Sequence, residues 1–190
     1  MSLKKNTRII GQHAFLSPSN YHWLDYDEEK LRRVYFEKQQ ASRGDKMHAY
    51  AQQAIELGIV QADNNTTMSM YINDAIGFRM EAEVPLYYTE NCFGTADSAG
   101  IRNERGKYVL RISDLKTGII PASMKQLLIY AGIFFFEYED LFDPRDVSVV
   151  LKIYQNDAID EFLPESSDII LTMSKIKAAA KMIAYWKAED

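Results

Sequence analysis

Residues 107–116, Lys-Tyr-Val-Leu-Arg-Ile-Ser-Asp-Leu-Lys, constrain the fold more than any other stretch of the chain. Period-two alternation puts Tyr108, Leu110, Ile112, Asp114 and Lys116 on one face of a strand, so an apolar face ends in an acid and a base side by side. Residues 93–102 read as a second strand. Asn103-Glu104-Arg105-Gly106 between the two has turn composition, which predicts an antiparallel hairpin. A turn centred on Glu104 and Arg105 sets Asp97 across from Ile112 and diagonal to Asp114 on the same face. Two carboxylates and an ammonium then converge at one end of a sheet, unless a one-residue bulge flips Asp97 to the other side.

Around this hairpin the remaining elements fall into an order. Leu16-Ser17-Pro18-Ser19 reads as a helix start, with Ser17 as cap and Pro18 at the first helical position, and a short helix carrying Trp23 and Leu24 follows. Residues 25–40 carry dense charges of both signs and suit an exposed helical connection. Met47, Ala51, Ala54 and Ile55 recur at helical spacing before Gly58, whereas residues 61–73 are polar and read as a loop or a frayed helix end. Over 77–88, Phe78, Met80, Ala82, Val84 and Leu86 alternate with charged residues as in a strand, and Pro85 marks an edge or an ending. Pro121 opens an apolar helix running through Gln126, Tyr130 and Phe134. Residues 147–154 are a strand buried on both sides, and 169–186 a closing helix. Helix, three strands, helix, strand is an α/β (α+β) order, with additional helices at both ends.

Composition bounds the function. With 190 residues, 47% hydrophobic and 26% charged, the chain is sized for one domain, 1–190, and is neither disordered nor fibrous. Its longest apolar stretch lies within 127–136, about half of the ~20 residues a bilayer crossing needs, so no membrane partner is expected. The first ten residues are basic without the apolar core of a secretory signal, which predicts a cytoplasmic protein. One cysteine, Cys92, allows neither an internal disulfide nor a four-cysteine zinc or iron-sulfur site. The net charge of −5 argues against coating nucleic acid through a broad basic surface. It leaves room for an enzyme that meets phosphates through bound cations, where the protein supplies the acids.

Two carboxylates held as close as Asp97 and Asp114 repel unless a cation sits between them, and their oxygens suit hard divalent ions such as Mg²⁺ or Mn²⁺. Such an ion binds a phosphate oxygen and acidifies water, while Lys116 orients that water and offsets charge on phosphorus oxygens, which is the chemistry of phosphodiester hydrolysis. On spacing alone, solvated charges that pair with one another at strand ends explain the same three residues equally well.

Gly94-Thr95-Ala96-Asp97, then Asp114-Leu115-Lys116-Thr117-Gly118, then Gln126-Leu127-Leu128-Ile129-Tyr130 resemble the GxAD, DxKTG and QxxxY motifs of RecB-like nucleases of the PD-(D/E)XK superfamily. Arg43-Gly44-Asp45-Lys46-Met47-His48 resembles the glycine-then-histidine motif on that family's first core helix, and the element order is similar to its αβββαβ core. Leu16-Ser17-Pro18-Ser19 before Trp23-Leu24, and Ile153-Tyr154-Gln155, are similar to features of phage and prophage exonucleases. Where such relatives often continue with Pro-Arg, this chain has Asn156-Asp157, so no substrate contact carries over there. The CRISPR-associated relatives hold an iron-sulfur cluster on four cysteines, which Cys92 alone does not support.

The resemblance implies a metal-dependent DNA exonuclease acting in phage recombination or DNA processing, in the cytoplasm of a bacterial host. It implies DNA as substrate, and leaves a recombination partner protein and oligomerisation open. By the same resemblance, His48, Asp97, Asp114 and the Leu115 carbonyl bind Mg²⁺ or Mn²⁺ beside Lys116 as catalytic lysine, with Asp114 shared between the two roles. Gln126 and Tyr130 are positioning groups beside the phosphate path, the alternative being a buried polar pair in an apolar helix. An imidazole ligand makes Mn²⁺ at least as suitable as Mg²⁺. Glu83 has two readings, a further carboxylate serving the site or an exposed strand acid. Trp23, Tyr87 and Tyr88 either stack on single-stranded bases or pack in the core and at its rim. A non-catalytic binding module and a structure-specific endonuclease are the competing functions.

Overall fold

The computed structural model describes residues 14–118 and 120–189. The amino-terminal segment on which the absence of a secretory signal was read lies outside them. The chain divides into two compact units, Met1–Arg43 and Gly44–Asp190. In the first, the short helix expected here is a 3-10 helix, Pro18–Asp25, and the Ser17 side chain caps no amide but meets Ser19 Oγ at 2.7 Å. Trp23 Nε1 donates to the Ser17 carbonyl at 3.3 Å, and Phe15 meets Tyr35 edge-on.

Helix α1 (Glu28–Glu56) is continuous, so the charged segment and the apolar-periodic one form a single helix. It ends before Gly58, whose φ of 65° makes the left-handed exit that glycine tolerates. The polar stretch expected as a loop contains the start of α2 (Thr67–Gly77). Thr66 and Ser69 form a reciprocal capping box there, and Tyr71, Ile72 and Ala75 behind it are buried. The Asn and Thr residues are the helix's start signal, and the first strand consequently begins at Glu81 instead of residue 77.

Strands β1 (Glu81–Thr89), β2 (Cys92–Glu104), β3 (Lys107–Leu115), β4 (Val147–Gln155) and β5 (Ala158–Phe162) form one sheet in that order, making a mixed α+β fold. β1, β2 and β3 are antiparallel neighbours; β4 is parallel to β3, and β5 antiparallel to β4. A parallel pair needs a crossover, and α3 (Lys125–Glu137) supplies it, starting four residues after Pro121. β5 was not anticipated. Its hairpin turns on Asn156 and Asp157, at φ 53° and 56°, a two-residue turn with both positions left-handed. The β2–β3 hairpin uses the same device at Arg105 and Gly106, with Asn103 Oδ1 accepting from the Gly106 N–H at 3.0 Å.

That turn shifts the register. Glu104 pairs with Lys107 and Ser98 with Ser113, two residues away from the expected alignment. A shift of two preserves the face, and its continuation brings Asp97 level with Asp114 instead of Ile112.

Apolar residues pack on both faces of the sheet. Leu110, Ile112, Val149 and Leu151 join Leu127, Ala131 and Phe135 of α3 and Ile169 of α4 (Ser166–Glu189) in one cluster. Ala51, Ala54, Tyr71, Ile72, Leu115 and Tyr154 form the other, with α1 and α2. At roughly 1.5–3 kcal/mol for each fully buried large side chain, these clusters dominate the sheet's stability. No helix among the described residues is long and apolar enough to cross a membrane.

β1 departs from simple alternation. Met80 and Ala82 pack with the α1/α2 cluster, but Val84 and Leu86 with the α3/α4 cluster. Glu83, between them, has φ 52°. A left-handed residue inside a strand turns the chain by half a pleat, so the face changes there. The sequence pattern had all five apolar residues of 77–88 on one side.

Candidate metal centre

The side chains singled out by the sequence come from four elements. His48 lies on α1 four residues after Gly44, so the two share a helix face. Gly44 is buried against the end of β3, where a Cβ would lie 2.8 Å from Thr117 Oγ1. Only glycine lets the helix come this close, and the close approach delivers His48 to the carboxyl end of β3.

His48 Nδ1 stands 3.6 Å from Asp97 Oδ2. This is too long for a hydrogen bond and suits two donors on either side of a small ion. The same Asp97 oxygen accepts the Leu115 N–H at 2.8 Å, fixing the carboxylate across the gap between β2 and β3. Burial, and the Asp114 carboxylate next to it, push the Asp97 carboxyl above its usual range, against the lowering effects of the Leu115 N–H, His48 and Lys116.

Asp114 is 2% exposed, on the last turn of the pleat before Leu115. Lys116 Nζ lies 2.9 Å from each of its oxygens, so the ammonium spans the carboxylate, and the buried Oδ2 has no other partner. The same ammonium meets Gln126 Oε1 at 3.3 Å. Lys116 itself is held by its backbone N–H donating to the Tyr154 carbonyl at 2.9 Å.

Tyr130, one helical turn beyond Gln126, donates to the Thr95 carbonyl at 2.7 Å, over Gly94, where a Cβ would lie 3.0 Å from the ring. This pair is not a buried polar couple, since Gln126 is exposed and Tyr130 half-buried. Gln126 steadies the lysine, and Tyr130 pins the strand that carries Asp97. Leu115 enters the site through its N–H.

One donor atom each of His48, Glu83 and Asp97 lie within 4.8 Å of one another. Glu83 is therefore at the site and is not an exposed strand acid. Alternation hid this, because period two gives no sign of the backbone inversion that turns its carboxylate inward. Beneath the cluster, the Tyr71 phenol is pushed above its usual range, first by burial and further by Asp97, Glu83 and Asp114. It stays neutral and can donate. Of the aromatics, Tyr88 stacks on Phe136 at 4.0 Å in the rim of the core, Tyr87 is 51% exposed beside Phe93, and Trp23 belongs to the amino-terminal unit.

Compared with protein-family models, with curated proteins and with solved structures, the chain matches none of them.

Proposed function

We propose that the chain is a divalent-metal-dependent deoxyribonuclease with the PD-(D/E)XK core of RecB-like nucleases, acting as an exonuclease in phage recombination or DNA processing. The observation that carries this reading is the Asp114–Lys116 pair, 2.9 Å apart, beside an Asp97 carboxylate that faces His48 at 3.6 Å. An ion pair with no further purpose would not bring a second, partly buried carboxylate and an imidazole to the same strand end, since repulsion between the two carboxylates and desolvation of the groups oppose folding.

The donor set fits Mg²⁺ or Mn²⁺: the imidazole nitrogen of His48, the Asp97 carboxylate facing it at 3.6 Å, and the buried Asp114 carboxylate beside Asp97. His48, Asp97 and Asp114, with the Leu115 carbonyl, would hold the ion, which when bound polarises a phosphate oxygen and acidifies water. Asp97 and Asp114 supply the negative charge that retains it. Lys116, braced by Gln126, presents an ammonium that orients a water molecule and offsets charge developing on the phosphoryl oxygens. Tyr130 keeps β2 against α3 and thereby the Asp97 carboxylate in place.

The test is incubation of linear and closed circular DNA with the purified protein in Mg²⁺, Mn²⁺ or EDTA, beside Asp114→Ala and Lys116→Ala. Metal-dependent loss of linear DNA from its ends, absent in both variants, is expected. Nicking of circles would replace the exonuclease by an endonuclease. DNA binding without hydrolysis under any condition would make the chain a binding module.

A further inference from the structure

Resting on the metal-dependent reading above, we infer that Glu83 is a ligand of the divalent ion, completing a His48–Glu83–Asp97 set. Three observations converge on it. First, the donor atoms of these residues lie within 4.8 Å of one another. Around an ion with bonds of about 2.1 Å, donors sit about 3 Å apart when adjacent and about 4 Å apart when opposed, so the set closes with side-chain movements of under about 1 Å.

Second, Asp114 divides its charge between the ion and an ammonium. It is 2% exposed and has Lys116 Nζ at 2.9 Å, whereas Glu83 has no ammonium or guanidinium within ion-pair distance among the described residues and its full charge is available. The buried Asp114 carboxylate adds its field to Asp97 beside it.

Third, the backbone is bent at this residue. Non-glycine residues with positive φ are Asn65, Arg79, Glu83, Arg105, Asn156 and Asp157, and of these Glu83 alone lies inside a strand among the described residues. The ladder pairs Ala82 with Ser98 and Val84 with Ala96, so the inversion falls at the level of Asp97. It switches β1 from one apolar cluster to the other and turns the Glu83 carboxylate toward His48 and Asp97. A glycine would adopt this backbone with less strain but would bring no carboxylate.

The experiment is calorimetric titration of the full chain with Mn²⁺ alone, without DNA, for wild type, Glu83→Gln and Glu83→Gly, with melting of each protein in EDTA. Expected are one strong Mn²⁺ site in wild type and at least a tenfold weaker one in both variants. Glu83→Gly, relieved of the left-handed glutamate, should melt no lower than wild type in EDTA, which separates lost ligation from lost folding. Wild-type affinity in both variants would overturn the Glu83 assignment and leave the nuclease reading standing. Absence of Mn²⁺ binding by wild type would overturn both.

Discussion

Gly44→Ala tests the close approach of α1 to the end of β3. In an ordinary helix this change stabilises by about 1 kcal/mol, because alanine loses less backbone entropy. Here the new methyl would lie 2.8 Å from Thr117 Oγ1, closer than real Cβ contacts come. Threonine is branched at Cβ, so only one of its three χ1 wells presents neither hydroxyl nor methyl to the intruder. Overpacking of this kind costs about 1–3 kcal/mol, and the net expectation for Gly44→Ala is a loss of about 0–2 kcal/mol. Thr117→Ala removes the obstructing oxygen and leaves Thr117's Cβ position 4.0 Å from the new methyl, an ordinary contact. The double variant should therefore regain the helical benefit and end about 1 kcal/mol above Thr117→Ala alone. Urea unfolding of the four proteins gives the coupling energy directly, expected at about 1–3 kcal/mol. Mn²⁺ affinity should fall in Gly44→Ala, because the displaced helix carries His48, and recover in the double variant. A Gly44→Ala protein stabilised by the full helical increment, with coupling below about 0.5 kcal/mol, would refute the reasoning.

Three further outcomes follow from the same geometry. Lys116→Met should abolish hydrolysis and lower stability by about 1–3 kcal/mol in urea melts; the loss is below that of a fully buried pair because the ammonium is 33% exposed. Asp97, with its carboxyl raised in the folded state, binds a proton more tightly folded than unfolded. Its contribution to metal-free stability should therefore fall as pH rises from the ordinary carboxylate range through the raised folded value; melts in EDTA should show this slope reduced and neutral-pH stability increased in Asp97→Asn. Tyr154, fully buried, donates to Asp74 Oδ2 at 2.5 Å, and Lys152 Nζ reaches the same oxygen at 2.9 Å. Tyr154→Phe should cost about 1.5–3 kcal/mol by urea midpoint with the slope unchanged.

What could be read in advance follows from which signals are local. The alternation of 107–116 and the turn composition before it located β3 and its hairpin, because a half-buried strand and a tight turn each leave a short-range imprint. The two-residue register error arose because four residues of turn composition do not say which two carry positive φ; Arg105 and Gly106 do. Asp97 stayed on its face only because the error was even. The helix at Thr67–Gly77 was missed since Asn and Thr serve loops and helix caps alike, and the outcome depends on Tyr71 and Ile72 finding a sheet to cover. β5 was overlooked although Asn156-Asp157 fits a two-residue hairpin turn. Asp97, Asp114 and Lys116 were named together from strand alternation and His48 from the likeness of its motif; the structure sets His48 Nδ1 3.6 Å from Asp97 and Lys116 Nζ 2.9 Å from Asp114. Glu83 was not placed, because its position depends on a backbone inversion that tertiary packing imposes and no periodicity records.

The outer strands carry a further consequence. Along β1, Pro85 offers no amide, Glu83 breaks the line, and the Tyr87 N–H is taken by Glu137 Oε2 at 3.0 Å. On the opposite border, β5 has five residues and places Asp160 and Glu161 in succession. Neither border offers a long run of free amides and carbonyls, so a foreign strand finds little to zip onto. Association with another polypeptide, or with a copy of itself, is steered away from sheet extension and toward helical or loop surfaces. The chain can carry a cluster of charged side chains at one end of its sheet without risking fibrous growth from its flanks.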